Sequence, residues 1–166
     1  MSAQVLGAAE ARHLRAVIAL SRRASERGDE PYAALLADHD GQVLGEACNT
    51  QHSERDCTGH AETNLVREAS RRFGAEVLAR CTVFANGEPC PMCAGAIFWA
   101  GVRRVVFALD VAAMHRIAGA ARDELLVSCR EILERGTRRV EVVGPVLAGE
   151  AGAVLQAHYA ARKRHG

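Results

Sequence analysis

The sequence predicts an α/β fold with a mixed sheet of about five strands and helices on both faces. Two observations carry this expectation. An Asp-Gly turn joins two short apolar runs early in the chain. After it, helix-period and strand-like segments alternate to the end.

Residues 8–27 set Leu14, Val17, Ile18 and Leu20 at helical spacing with arginines between them, and Gly28 ends the helix. Residues 32–37 and 42–47 are apolar runs joined by Asp38-His39-Asp40-Gly41, which predicts a hairpin. Residues 48–59 are polar and irregular. A helix is expected over 59–72, stopping before Gly74. Residues 81–85 read as a buried strand, 91–100 as a helix and 103–109 as another strand. Residues 112–121 are ambiguous. A helix is expected over 123–135, with Gly136 as its C-terminal cap. Residues 139–143 read as a strand and 149–164 as a final helix. No repeat, low-complexity stretch or linker interrupts the pattern, so residues 1–166 read as a single domain.

The bulk numbers bound the function. With 166 residues the chain is long enough to bury a proper core. It is 49% apolar and 25% charged, ordinary for a soluble globular protein. A net charge of +1 makes no global electrostatic case for nucleic acid as a partner. The run Arg162-Lys163-Arg164 reads as a solvated helix end. The start of the chain carries Glu10, Arg12, His13 and Arg15 and lacks the apolar core of a signal peptide. No apolar stretch reaches the length of a membrane span. The expected compartment is the cytoplasm.

Of six cysteines, Cys48 and Cys81 lie in strand-like runs and Cys129 in a helical one, where each reads as a small buried hydrophobe. Cys57 is left open. Without an export signal, metal ligation and burial are better readings than disulfides.

The residues that carry chemistry are His60-Ala61-Glu62 and Pro89-Cys90-Pro91-Met92-Cys93. One histidine and two cysteines are three ligands of a type that zinc prefers, with a fourth position open for water. Cys90 falls at the start of a helix, where partial positive charge favours thiolate. Pro91 suits the first helical position, and Cys93 lies on the same turn. Glu62 is read as an acid/base and not as a ligand, because it points about 200° around the helix from His60. The bland readings are a redox or structural Cys-x-x-Cys, or a closed zinc site with Cys57 as its fourth ligand.

At these residues the chain resembles the cytidine deaminase superfamily, on the branch of nucleobase and tRNA adenosine deaminases. The resemblance runs through Gly59-His60-Ala61-Glu62, Glu88 to Ile97 and Trp99-Ala100, and spans residues 10–160. It implies zinc held by His60, Cys90 and Cys93, with Glu62 as proton shuttle. It implies substrate contacts from the Asn49 side chain, the Ala61 N–H and the Glu88 carbonyl. It also implies a three-layer α/β/α sandwich, normally a homodimer or larger. The implied reaction is hydrolytic: water activated on zinc attacks the amine-bearing ring carbon, Glu62 moves the protons, and ammonia leaves.

These motifs are blind to the substrate. The segment Glu30-Pro31-Tyr32-Ala33-Ala34 is similar to the aromatic version found in free-base deaminases, which brings Tyr32 to the ring. Trp99 is similar to a tryptophan that helps enclose the base in guanine deaminases. Asp123 or Glu124 stands near a further acidic residue of those enzymes. In those enzymes a C-terminal tail covers the site, which would fall on about 149–166 with His158 and Tyr159 here, and the plainer reading of these two is the polar face of an amphipathic helix. The segment Ser128 to Ile132 departs from typical guanine deaminases, which leaves cytosine, azacytosine-like and aminotriazine rings open. The expectation is a zinc-dependent aminohydrolase of a free nucleobase, guanine first. Adenosine deamination in tRNA is the alternative enzyme reading. A catalytically silent zinc-binding oligomerisation module is the reading from another class, and the intact Glu62 argues against it.

Overall fold

The structure, a computed structural model, describes residues 6–119 and 123–165. Helix α1 is Ala8–Glu26. It turns off at Gly28, whose φ of +87° suits a residue without a side chain. Strands β1, Ala33–Ala37, and β2, Val43–Cys48, form the expected hairpin. Asp38 closes its turn: Oδ1 accepts from the N–H groups of Asp40 at 3.0 Å and Gln42 at 2.8 Å.

Next come α2, Ala61–Arg72, the short α3, Ala75–Leu78, and β3, Thr82–Gly87. The chain continues through α4, Pro91–Trp99, β4, Arg104–Leu109, and α5, Val111–Ala118. It ends with α6, Cys129–Glu134, β5, Glu141–Val143, and α7, Ala148–His165.

The sheet order is β2-β1-β3-β4-β5. Strand β1 runs antiparallel to β2 and β3, whereas β3, β4 and β5 are mutually parallel. The sheet is therefore mixed, as expected. Successive side chains of β1 point to opposite faces and build two cores. Ala34 and Leu36 pack with Leu65 and Val66 of α2 and Ile97 of α4. Ala33, Leu35 and Ala37 pack with Val17 of α1 and Leu155 of α7. Helices α2, α4 and α6 thus cover one face and α1, α5 and α7 the other, which makes the three-layer α/β/α sandwich. Burying each such aliphatic side chain is worth about 1.5–3 kcal/mol.

Three expectations change. The helix expected over 123–135 is only α6, because Leu125 and Leu126, at 70% and 55% exposure, have no core to face. The ambiguous stretch 112–121 contains most of α5, while residues 120 and 121 lie outside the described set. Helix α3 was not anticipated. Of the cysteines, Cys81 and Cys129 are buried as expected, Cys48 is half-buried and Cys57 is exposed. Among the described residues no helix is long and apolar enough to cross a membrane.

Candidate active site

The site forms where two helices begin, α2 after the loop 49–60 and α4 just after the buried strand β3. His60 is the residue capping the start of α2, and Cys90 caps the start of α4 directly after β3. Both side chains leave their helix N–H groups uncapped and turn toward each other. His60 Nδ1 stands 3.5 Å from Cys90 Sγ. Cys93, one turn along α4 and fully buried, completes a trio whose donor atoms all lie within 4.8 Å of one another. Gly59 is what lets the loop reach this point. A Cβ there would come within 2.8 Å of Thr50 Oγ1.

The electrostatics suit a metal ion. The two thiols share one proton. Contact with Cys93, and then with His60, pulls Cys90 down to about 4, while contact with Cys90 together with burial pushes Cys93 up. The Cys90 contact raises His60. One soft thiolate, a second thiol and an imidazole nitrogen meet in one place, with helix N-termini behind them. This donor set fits zinc and leaves a fourth position for water. Among the described residues no fourth histidine, cysteine or carboxylate joins the cluster, and Cys57 is not part of it.

Glu62 is buried in the first turn of α2. Burial lifts its carboxyl from 4.5 to about 7. A carboxyl poised near neutral pH beside the metal donors can both take and return a proton.

A cavity of about 310 Å³ opens onto His60, Glu62 and Cys90, and Cys93 is buried outside its lining. Five acidic residues line the cavity, Glu30, Glu62, Glu88, Asp123 and Glu124, and among the described residues no lysine or arginine does. Tyr32, Met114 and Leu125 supply apolar wall. Asn49 is buried at the cavity edge, and its amide pairs with Gln51, accepting from the backbone N–H at 3.0 Å and donating to Oε1 at 2.8 Å. Ala61 contributes an N–H that, as the first of its helix, has no acceptor within the helix. Glu88 is a strut: its carboxylate accepts from Val111 N at 2.9 Å and Cys129 N at 2.8 Å. It thereby pins both ends of the segment that brings Asp123 and Glu124 to the cavity.

Not every expected residue arrives. Trp99 is not a wall of this cavity. It is 85% exposed, at the end of α4, over a shallow depression with Thr63, Val66 and Arg67. Its place at the far end of α4, two turns past Cys90, carries it away from the metal donors. Nor does the tail cover the site, since no residue of α7 lines the cavity. Helix α7 instead packs beneath the sheet, where the His158 Nδ1 meets Ser25 Oγ at 2.7 Å and Tyr159 donates to Glu30 at 2.6 Å. Sequence reasoning missed Glu30, Gln51 and Met114. The signal for Glu30 was a pair of acids, Asp29-Glu30, set between a helix end and a buried strand.

Residues 8–109 match the family described as the cytidine and deoxycytidylate deaminase zinc-binding region. The chain belongs to this deaminase family. It is 33% identical over 153 residues to the Schizosaccharomyces pombe protein named "Probable cytosine deaminase", covering 91% of this chain and 93% of that one. It is 32% identical over 148 residues to the tRNA-specific adenosine deaminase of Bacillus subtilis, covering 89% and 86%. Among solved structures, the guanine deaminase of Nitrosomonas europaea superposes with a TM-score of 0.75 at 26% identity, covering 95% of this chain and 87% of that one. Deaminase membership and the family's zinc-binding character therefore stand, and the substrate is the remaining question.

Proposed function

We propose that this protein hydrolytically deaminates a free nucleobase or a similar small aminated ring, with guanine the first substrate to test and cytosine, azacytosine and aminotriazine rings next. The supporting observation is the cavity: about 310 Å³, lined by five acidic residues and, among the described residues, by no lysine or arginine. A neutral ring rich in N–H donors suits such walls, and a phosphate does not. The similarity to a cytosine deaminase and to a guanine deaminase points the same way.

In this reading His60, Cys90 and Cys93 hold zinc. When bound, zinc supplies Lewis acidity that brings the pKa of water toward neutrality. Glu62 takes a proton from the attacking water as its oxygen bonds to the ring carbon. Glu62 delivers that proton to the adjacent ring nitrogen and then carries the remaining hydroxyl proton to the amine, the C–N bond breaks, and ammonia and the carbonyl product leave. Asn49, Ala61 N–H and the Glu88 carbonyl orient the ring, with Tyr32 against its face and Asp123 at the mouth. The reading includes a homodimer, tested by light scattering, and a place in purine breakdown if guanine is the substrate.

The second reading, adenosine deamination in tRNA, is favoured by the 32% identity to the Bacillus subtilis enzyme. An ammonia-release screen over guanine, cytosine, an aminotriazine and a tRNA separates the two. Turnover of a free base with an inert tRNA is the expected outcome, and the reverse overturns the proposal.

A further inference from the structure

Glu30 and Glu124 are the acids of the cavity wall that the reaction as drawn does not use, and Glu30 is the one tied to α7. It lies in the connection from α1 to β1, only 2% exposed. Its Oε2 accepts from the Tyr159 hydroxyl at 2.6 Å, and its Oε1 accepts from Arg162 Nη1 at 2.7 Å. His52 Nε2 stands 3.2 Å from the same Oε1. Tyr159 and Arg162 belong to α7, more than a hundred residues away along the chain. A link of that kind needs only carboxylate oxygens facing α7. Glu30 does more, because it also lines the cavity beside Tyr32 and Asn49.

The direction of the hydrogen bonds matters. Tyr159 has one hydroxyl proton, and Glu30 accepts it. Glu30 is held as an oriented carboxylate by charge-assisted contacts, so this end of the cavity carries a carboxylate paired with Arg162.

We propose that Glu30 is a specificity-determining residue: its carboxylate, oriented by Tyr159 and Arg162, selects rings that present to it an N–H besides the amine that leaves. Tyr159 and Arg162 act through it as positioning residues. The inference rests on the free-base reading and names the substrate class that reading needs, a ring with at least one N–H besides the amine that leaves.

The test is a methyl scan on the zinc-loaded protein. Guanine is compared with 1-methylguanine and 9-methylguanine, and cytosine with 1-methylcytosine, in wild type, Glu30→Gln and Tyr159→Phe. In the wild type, methylation at one ring nitrogen raises KM about tenfold or more, as expected for loss of a hydrogen bond to a charged group. Glu30→Gln raises KM for the parent base and so shrinks that gap to within about threefold, with zinc content unchanged. Tyr159→Phe removes one of the contacts that orient the carboxylate and so narrows the discrimination part of the way. Equal treatment of all methylated rings by the wild type overturns the proposal even if Glu30→Gln fails to fold. Unchanged discrimination in a folded Glu30→Gln variant also overturns it. If the wild type turns over neither parent base, the free-base reading fails first and takes this inference with it.

Discussion

His60 and Cys90 each occupy the capping position of a helix, and their donor atoms meet 3.5 Å apart at the head of the cavity. Neither side chain caps its own helix. The helix-start positions that would ordinarily hold Ser, Thr, Asp or Asn are given to metal donors instead, so helix stability is traded for the site. His60→Ser should reverse the trade. The metal-free variant is expected to gain about 0.5–1 kcal/mol from capping, and its unfolding temperature should no longer rise with added zinc. Stoichiometric zinc binding by that variant contradicts the ligand assignment.

Glu62 divides binding from chemistry. Glu62→Gln keeps the shape and leaves the three donors in place, so zinc content by elemental analysis should match wild type. Turnover should fall by about 10²–10⁴-fold, the range for losing a general acid/base. Loss of zinc together with turnover means that Glu62 supports the metal directly.

Asp29 provides the pH test. It is buried beside the loop that follows β2 and accepts from the N–H groups of His52 at 3.0 Å and Ser53 at 2.9 Å, and from Ser53 Oγ at 2.8 Å. Burial pushes its carboxyl up, but the Ser53 and His52 donors and Arg27 outweigh burial and hold it below the usual 3.8. Its folded value is depressed, so its stabilising contribution is present above about pH 4 and is lost as pH falls through the folded value. Asp29→Asn should destabilise the protein at pH 7 and flatten the acid side of the stability curve. A wild-type-like acid limb in the variant contradicts this.

Gly87 is where the last turn of β3 meets the cavity wall. A Cβ there would lie 2.4 Å from Met114 Sδ and 3.1 Å from the Tyr32 ring. Gly87→Ala forces both side chains to shift, at a cost of about 1–3 kcal/mol. Because both line the cavity, KM should rise more than kcat falls, with zinc retained. A variant with wild-type stability and KM shows that the wall is looser than described.

Trp99 tests the correction to the sequence reading. Lying outside the cavity, it should tolerate Trp99→Ser with KM for the preferred base within about twofold. A large KM increase restores it to the substrate's surroundings.

Much of the fold and the metal group was legible because their signals are local. The Asp38 to Gly41 turn, the glycine after α1 and the apolar strands each depend on a few neighbouring residues. His60, Glu62, Cys90 and Cys93 sit in two short runs, and two helix starts bring those runs together. The misread helix over 123–135 had a local signal too. Ser128 Oγ accepts from Glu131 N at 3.1 Å, so the Ser-x-x-Glu pattern marks the true start, and the apolar residues before it are exposed. What stayed hidden is non-local. Nothing near Glu30 foretells Tyr159 and Arg162, and nothing near Glu88 foretells its hold on Val111 and Cys129. Such pairings arise only when the sheet order sets distant segments side by side.

Ammonia release from free guanine and free cytosine by the zinc-loaded protein, measured beside zinc-loaded Glu62→Gln, is the most direct measurement. The expected result is one ammonia per base consumed by the wild type for at least one of the two, and turnover lower by about 10²–10⁴-fold in the variant at equal zinc content. A zinc-loaded wild type that leaves both bases intact while converting adenosine in tRNA contradicts the account.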